Sequence, residues 1–361
     1  MKIIRRKILN IFCKQLMVIY VVLTYISVLH AVQPTWEIDL SSVFDNREGD
    51  GKIQPSETYF FVTLAPEVGL KLTPNDRIAG GAVWNQPLQN GVKNGKIIPT
   101  IYYRHSGGKW DFSMGMFPMT QLREPLPGFL WCDSLAYFQQ NLRGALAQYE
   151  VPNGFMEAYI DWRGMQSETT REAFNIVFHG EWRPQRKSLL LGGHAMMNHL
   201  AKRKSSENEY VVDNFLINPY IGADLGKYTF ADSLVIKGGA LMTVERDRRH
   251  REWMSPAGFW LDLLFEWKFL GVRNSFYAGG KLFPLYSEFG NLLYQGEAYY
   301  QEPLYDRLDV YAHIYRNKYI DLEAQLNFNF TKRDFEFYQR LILNLEVGNL
   351  FEQPHKAKRL R

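Results

Sequence analysis

Few side chains in this sequence have the type and spacing to do chemistry. His179 and His194, with Glu181 nearby, fall on facing segments across the short stretch Pro184-Gln185-Arg186. Two imidazoles and a carboxylate can hold a metal. Polar residues lining a wet interior account for them better, so no metal is assigned. His105 and Ser106 are adjacent, and histidine can activate a serine for acyl transfer. Here they run into Gly107-Gly108 and read as turn residues. There is no Gly-x-Ser-x-Gly, phosphate loop, dinucleotide fingerprint or zinc cysteine pattern. Asp45, Asn46, Glu48, Asp50 and Gly51 lack the register and closing glutamate of a calcium loop and read as a solvated loop. The run Arg246-Asp247-Arg248-Arg249-His250-Arg251 is dense in cations. Arginines pair well with phosphate, so clamping of a phosphorylated lipid and plain solvation both fit. No catalytic residue and no cofactor emerges, and the chain reads as a non-enzyme.

The background composition narrows the class. The 361 residues are 46% hydrophobic, 15% aromatic and 22% charged, which excludes a disordered chain. No run of about 18 uncharged apolar residues follows residue 31, so a helical membrane bundle is excluded too. Residues 1–31 read as a secretory signal: Lys2, Arg5, Arg6, Lys7 and Lys14 precede or border an apolar stretch at 16–29, and Leu29-His30-Ala31 offers a cleavage site. An uncleaved anchor is the alternative. Taking those five cations from the 42 in the whole chain leaves 37 basic against 38 acidic residues. The mature chain is then close to neutral, and nucleic acid is not an expected partner. Cys13 leaves with the signal, and Cys132 alone makes no internal disulfide.

After residue 31 the pattern has period two. Between 320 and 330, Ile320, Leu322, Ala324, Leu326, Phe328 and Phe330 alternate with Asp321, Glu323, Gln325, Asn327 and Asn329. Residues 259–269, 335–351 and 58–72 repeat the logic. Such runs exceed the usual five or six residues of a soluble strand and match the roughly 9–11 that a tilted strand needs to cross a bilayer. The reading is an all-β fold: one transmembrane antiparallel β-barrel of about sixteen strands (14–18) over 32–351, with a basic tail at 352–361. A soluble sandwich would alternate as well, but with shorter strands.

Connection lengths set the topology. With the amino terminus periplasmic, every second connection is short, as at 73–76, 106–108, 151–154, 271–273 and 317–318. Those between are mostly long, as at 86–96, 118–141, 200–212 and 246–257. Residues 291–300 would make a seventeenth strand; treating 285–305 as one exterior loop restores an even count.

The chain thus resembles the porin-like outer-membrane β-barrels of Gram-negative bacteria. The resemblance rests on the overall pattern, on Leu341, Leu343, Leu345, Val347 and Phe351 in the last strand, and on segments 63–70 and 110–118. It implies a passive outer-membrane channel for small hydrophilic solutes, surrounded by outer-membrane lipid and lipopolysaccharide and compatible with a homotrimer. The alternatives are a lipid-modifying enzyme on a barrel and a closed barrel serving as anchor or adhesion scaffold. It also implies that the loop after the fifth strand narrows the pore, through Arg123, Glu124, Trp131 and Asp133. Expected on the lumen face are Arg104, Asp111, Glu157, Asp161, His179, His194, Asp262, Glu266, Asp321, Glu323 and Arg340, with Tyr59, Tyr102, Tyr159, Tyr220, Tyr277 and Tyr311 as stacking surfaces or filler.

Overall fold

The structure is a computed structural model that describes residues 32–349, apart from 50, 89–93, 185–187 and 251. The proposed signal at 1–31, Phe351 and the basic tail lie outside the described residues. The strands are β1 (Gln33–Gly49), β2 (Glu57–Lys71), β3 (Asp76–Pro87), β4 (Lys96–Gly107), β5 (Trp110–Pro118), β6 (Asn141–Val151), β7 (Gly154–Gly164) and β8 (Ala173–Trp182). They continue as β9 (Leu189–Leu200), β10 (Val212–Asp224), β11 (Ser233–Asp247), β12 (Ala257–Trp267), β13 (Leu270–Gly279), β14 (Leu304–Arg316), β15 (Ile320–Thr331) and β16 (Phe335–Gly348). Each pairs antiparallel with its sequence neighbours, and β1 pairs with β16 from Glu37↔Gly348 to Gly49↔Glu336, closing the ring. Closure removes the unpaired edge that lipid would not tolerate.

The barrel is inside out relative to a soluble fold. On β15 the buried residues are Asp321, Gln325, Asn327 and Asn329, while Leu326 and Phe330 are 43% and 41% exposed. The greasy rows therefore face hydrocarbon. Leu326→Arg is expected to impair assembly, because a cation on the lipid face midway along β15 costs roughly 2–4 kcal/mol. Glu323→Gln on the same strand should fold. The heat-dependent gel mobility of the two variants checks this, and equal behaviour would contradict the assigned faces.

Short turns mark the periplasmic end. Residues 291–300 form no strand: the stretch 280–303 is one long connection with short helical turns, among them Ala298–Gln301. The other long connection, 119–140, carries the short helix α1 (Asp133–Phe138). Both fold inward.

Candidate functional site

The two inward loops meet inside the barrel. The Cys132 N–H donates to the Gln295 carbonyl at 2.7 Å, and the Glu297 N–H to the Gly128 carbonyl at 2.8 Å. Gly296 passes so close to the Phe129 backbone that a Cβ would collide with it, which fixes glycine there. The Phe129 ring is seated edge-on among His194, Trp260 and Tyr300, with centroids 5.7–6.0 Å away.

A charge knot ties the loops to the wall. The Asp133 carboxylate takes Arg307 at 3.0 Å and Arg340 at 2.5 Å, and the Asp133 N–H donates to Glu297 at 2.8 Å. Arg340 also reaches Asp45 at 3.1 Å, and Asp45 accepts from Arg47 at 2.9 Å and from the Tyr137 hydroxyl of α1 at 3.0 Å. Burial works against the charged form of Asp133, but Arg307, Arg340 and Arg47 outweigh it and hold the carboxyl well below the usual range. A depressed carboxyl pKa contributes stability above the ordinary value and loses it as pH falls through the depressed one, so this knot holds through mild acid. Beside it, burial and the neighbouring Glu297 push the Cys132 thiol up to about 12. Maleimide labelling of Cys132 should therefore be slow in the folded chain and fast after unfolding, as read by peptide mapping.

The sequence-derived residues take these places. Arg123 runs back along the wall to Asp111 at 2.6 Å and Glu150 at 2.8 Å. Glu124 lies 3.4 Å from Lys237 and 4.0 Å from His179. Trp131 is buried between loop and wall, with its indole nitrogen unsatisfied. Arg104 pairs with Asp111 at 3.7 Å, Asp161 with Arg143 at 3.2 Å, and Glu266 accepts from Tyr311 at 2.8 Å. Asp262 sits opposite Lys237 in the β11–β12 register. His179 and His194 stack face to face at 4.2 Å and 14°, which turns their nitrogens edgewise rather than toward one point. Glu181 is taken by Lys237 at 2.8 Å and Arg183 at 3.0 Å. The lumen tyrosines Tyr102, Tyr159, Tyr220, Tyr277 and Tyr311 are buried, and Tyr311 lies flat on the bare backbone of Gly271. A vestibule of about 350 Å³ lies open from Lys71, Asn75 and Asp76 on the periplasmic side to a floor under Ala136 and Gln140.

A second arrangement lies outside the barrel; sequence reasoning picked out its arginines in the run from Arg246 but passed over His199 and Asp213. One register level near the exterior end of β7 to β11 runs Trp162, Phe174, His199, Asp213, Arg246. All five belong to the lipid-facing phase. The Trp162, Phe174 and His199 rings stack in turn at 5.0 and 4.9 Å. His199 stands directly opposite Asp213, a position that puts Cβ atoms about 4.5–5.5 Å apart. Asp213 accepts from Arg246 at 2.9 Å and from Arg248 at 2.7 Å. The Arg246 guanidinium lies over the Trp253 ring at 4.4 Å. Below this row, Phe178, Met197, Phe215, Ile217, Val244 and Trp253 line an apolar groove of about 420 Å³. The signal was present in the alternation. His199 follows Ala195 and Met197, Asp213 precedes Phe215 and Ile217, and Arg246 follows Met242 and Val244, each a polar residue in the greasy phase.

Fold and faces together define an outer-membrane β-barrel of the sixteen-strand porin architecture. Solved structures share it: OprD of Pseudomonas aeruginosa (10% identity, 89% of this chain and 96% of that one, TM-score 0.52), OccK2 (8%, 88% and 98%, 0.53) and OpdL (8%, 88% and 99%, 0.55), both of the same organism. At such identity the likeness is one of fold. No curated protein matches the sequence. The chain belongs to the lipid A 3'-O-deacylase-type family, which residues 33–352 match. That membership overturns the non-enzyme reading, because the family is one of enzymes. The reading failed because it looked for a contiguous serine motif, whereas a barrel places its reactive groups on separate strands.

Proposed function

We propose that this protein is an outer-membrane acyl-ester hydrolase acting on lipid A, with its site on the lipid-facing surface of β8 to β11. The observation that carries this is the row of His199, Asp213, Arg246 and Arg248 standing directly above an apolar groove. Lipid A presents phosphates and ester-linked acyl chains at the boundary between headgroup and hydrocarbon. The arginines match the phosphates by charge-assisted pairing, and the groove matches an acyl chain. His199 is the general base that takes a proton from the attacking water. The water oxygen bonds to the ester carbonyl, the ester C–O bond breaks, and the proton passes to the leaving sugar oxygen. Asp213 holds the two arginines beside His199, and their guanidinium groups are the donors for the developing oxyanion. The test is mass spectrometry of lipid A in vesicles containing the purified chain: loss of one acyl chain and release of the free fatty acid support the reading, and unaltered lipid A opposes it.

Passage of small hydrophilic solutes is the second reading, favoured by the vestibule with Glu37, Asp39 and Glu346 on its wall. Its acidic lining gives a mild preference for cations. Passage requires the two inward loops to move.

A further inference from the structure

We propose that His313, Asp321 and Glu323 form a binding site for a divalent transition-metal cation, with Zn²⁺ as its natural probe, on the inner wall at the periplasmic mouth. The site is independent of the lipid-facing groove. His313 lies near the end of β14, and Asp321 and Glu323 near the start of β15, on either side of the short turn at residues 317–319. The ligand atoms converge. His313 Nδ1 is 2.8 Å from an Asp321 oxygen and 3.6 Å from a Glu323 oxygen, and all three atoms lie within 4.8 Å of one another. Atoms at such separations can share a centre at metal–ligand distances of about 2.0–2.2 Å.

Two further features separate this cluster from an ordinary ion pair. A β-bulge falls between His313 and Tyr315, so that one extra residue sits against β15. Bulges re-aim side chains, and this one sets His313 opposite Glu323 while its ring nitrogen reaches Asp321, two residues away on the same face. The cluster is also sheltered, with side chains 11%, 1% and 14% exposed. Two carboxylates facing one imidazole leave the spot negative. One nitrogen and two oxygen donors suit a borderline cation such as Zn²⁺ better than an all-oxygen cation such as Ca²⁺. Arg316 is the counter-charge in the metal-free state, 3.3 Å from His313 Nε2 on the exposed side. Its positive charge beside the imidazole opposes an incoming cation and so competes with the metal. Binding Zn²⁺ displaces the arginine.

The experiment is Zn²⁺ titration of the full chain, without a histidine tag, in detergent micelles, followed by calorimetry and by equilibrium dialysis. Saturable uptake of a single equivalent is expected, weakened at least about tenfold in His313→Ala and in Asp321→Asn while heat-dependent gel mobility stays normal. Ca²⁺ should not compete at equal concentration. No saturable uptake by the unaltered chain, or uptake unchanged in His313→Ala, would overturn the site. Should either ligand variant fail to assemble, Arg316→Ala decides: tighter Zn²⁺ binding supports the site, and unchanged affinity refutes it.

Discussion

His199→Ala is expected to lower release of an acyl chain from lipid A by about 10²–10⁴-fold, the range lost with a general base. The effect should fall on kcat, since the groove and the arginines that hold the lipid are intact. The His199 ring stacks on Phe174 at 4.9 Å, and truncating it leaves the backbone ladder of β9 in place, so assembly should not suffer. Arg248→Ala should behave differently. Arg248 is one of two cations on Asp213, and its loss should raise KM for phosphorylated lipid A more than it lowers kcat. Equal turnover in His199→Ala and the unaltered chain would remove the proposed site even if the chain proves to be a deacylase, because the reaction would then occur elsewhere.

Asp133→Asn should release the inward loops. This residue is the single anion shared by Arg307 and Arg340, which then keep Asp309 at 2.9 Å and Asp45 at 3.1 Å, respectively, on the wall. Orphaning a buried charge costs about 3–5 kcal/mol; with the wall carboxylates retained the loss is smaller, and it falls on loop docking, because the ring of backbone hydrogen bonds in the wall does not depend on Asp133. Maleimide should then label Cys132 much faster than in the unaltered chain. In planar bilayers the variant should show larger or more frequent conductance steps under the solute-passage reading. Fast labelling without any conductance would mean that the loops fill the lumen but do not govern passage.

Much of the wall could be read directly, because alternation over nine or more residues has one dominant cause. Leu326 and Phe330 against Asn327 and Asn329 gave both strand and face. Parity correctly made 285–305 a loop, since a closed antiparallel ring with both termini on one side needs an even count. The interior of the barrel was out of reach. Nothing in Pro125-Leu126-Pro127-Gly128-Phe129 says that it ends against Trp260 and Tyr300 on strands far along the chain. Arg246 and Arg248 were weighed as a phosphate clamp, but the outer row as a group was missed for another reason. His199, Asp213 and Arg246 each break the greasy phase once, near a strand end, where a polar residue is ordinary. Only the register that sets the three side by side makes them a group.

The two loops that fill the interior come from β5–β6 and β13–β14, on opposite arcs of the cylinder, and clasp each other at Cys132–Gln295 and Gly128–Glu297. Neither half of the wall can hold its contents alone. The filling must be captured while the seam between β1 and β16 zips shut, so biogenesis ends in a step of very high contact order. A chain stalled there would present an apolar outer surface together with an unfilled, sticky inside, and quality control in the periplasm would meet it as an open trough rather than a tube.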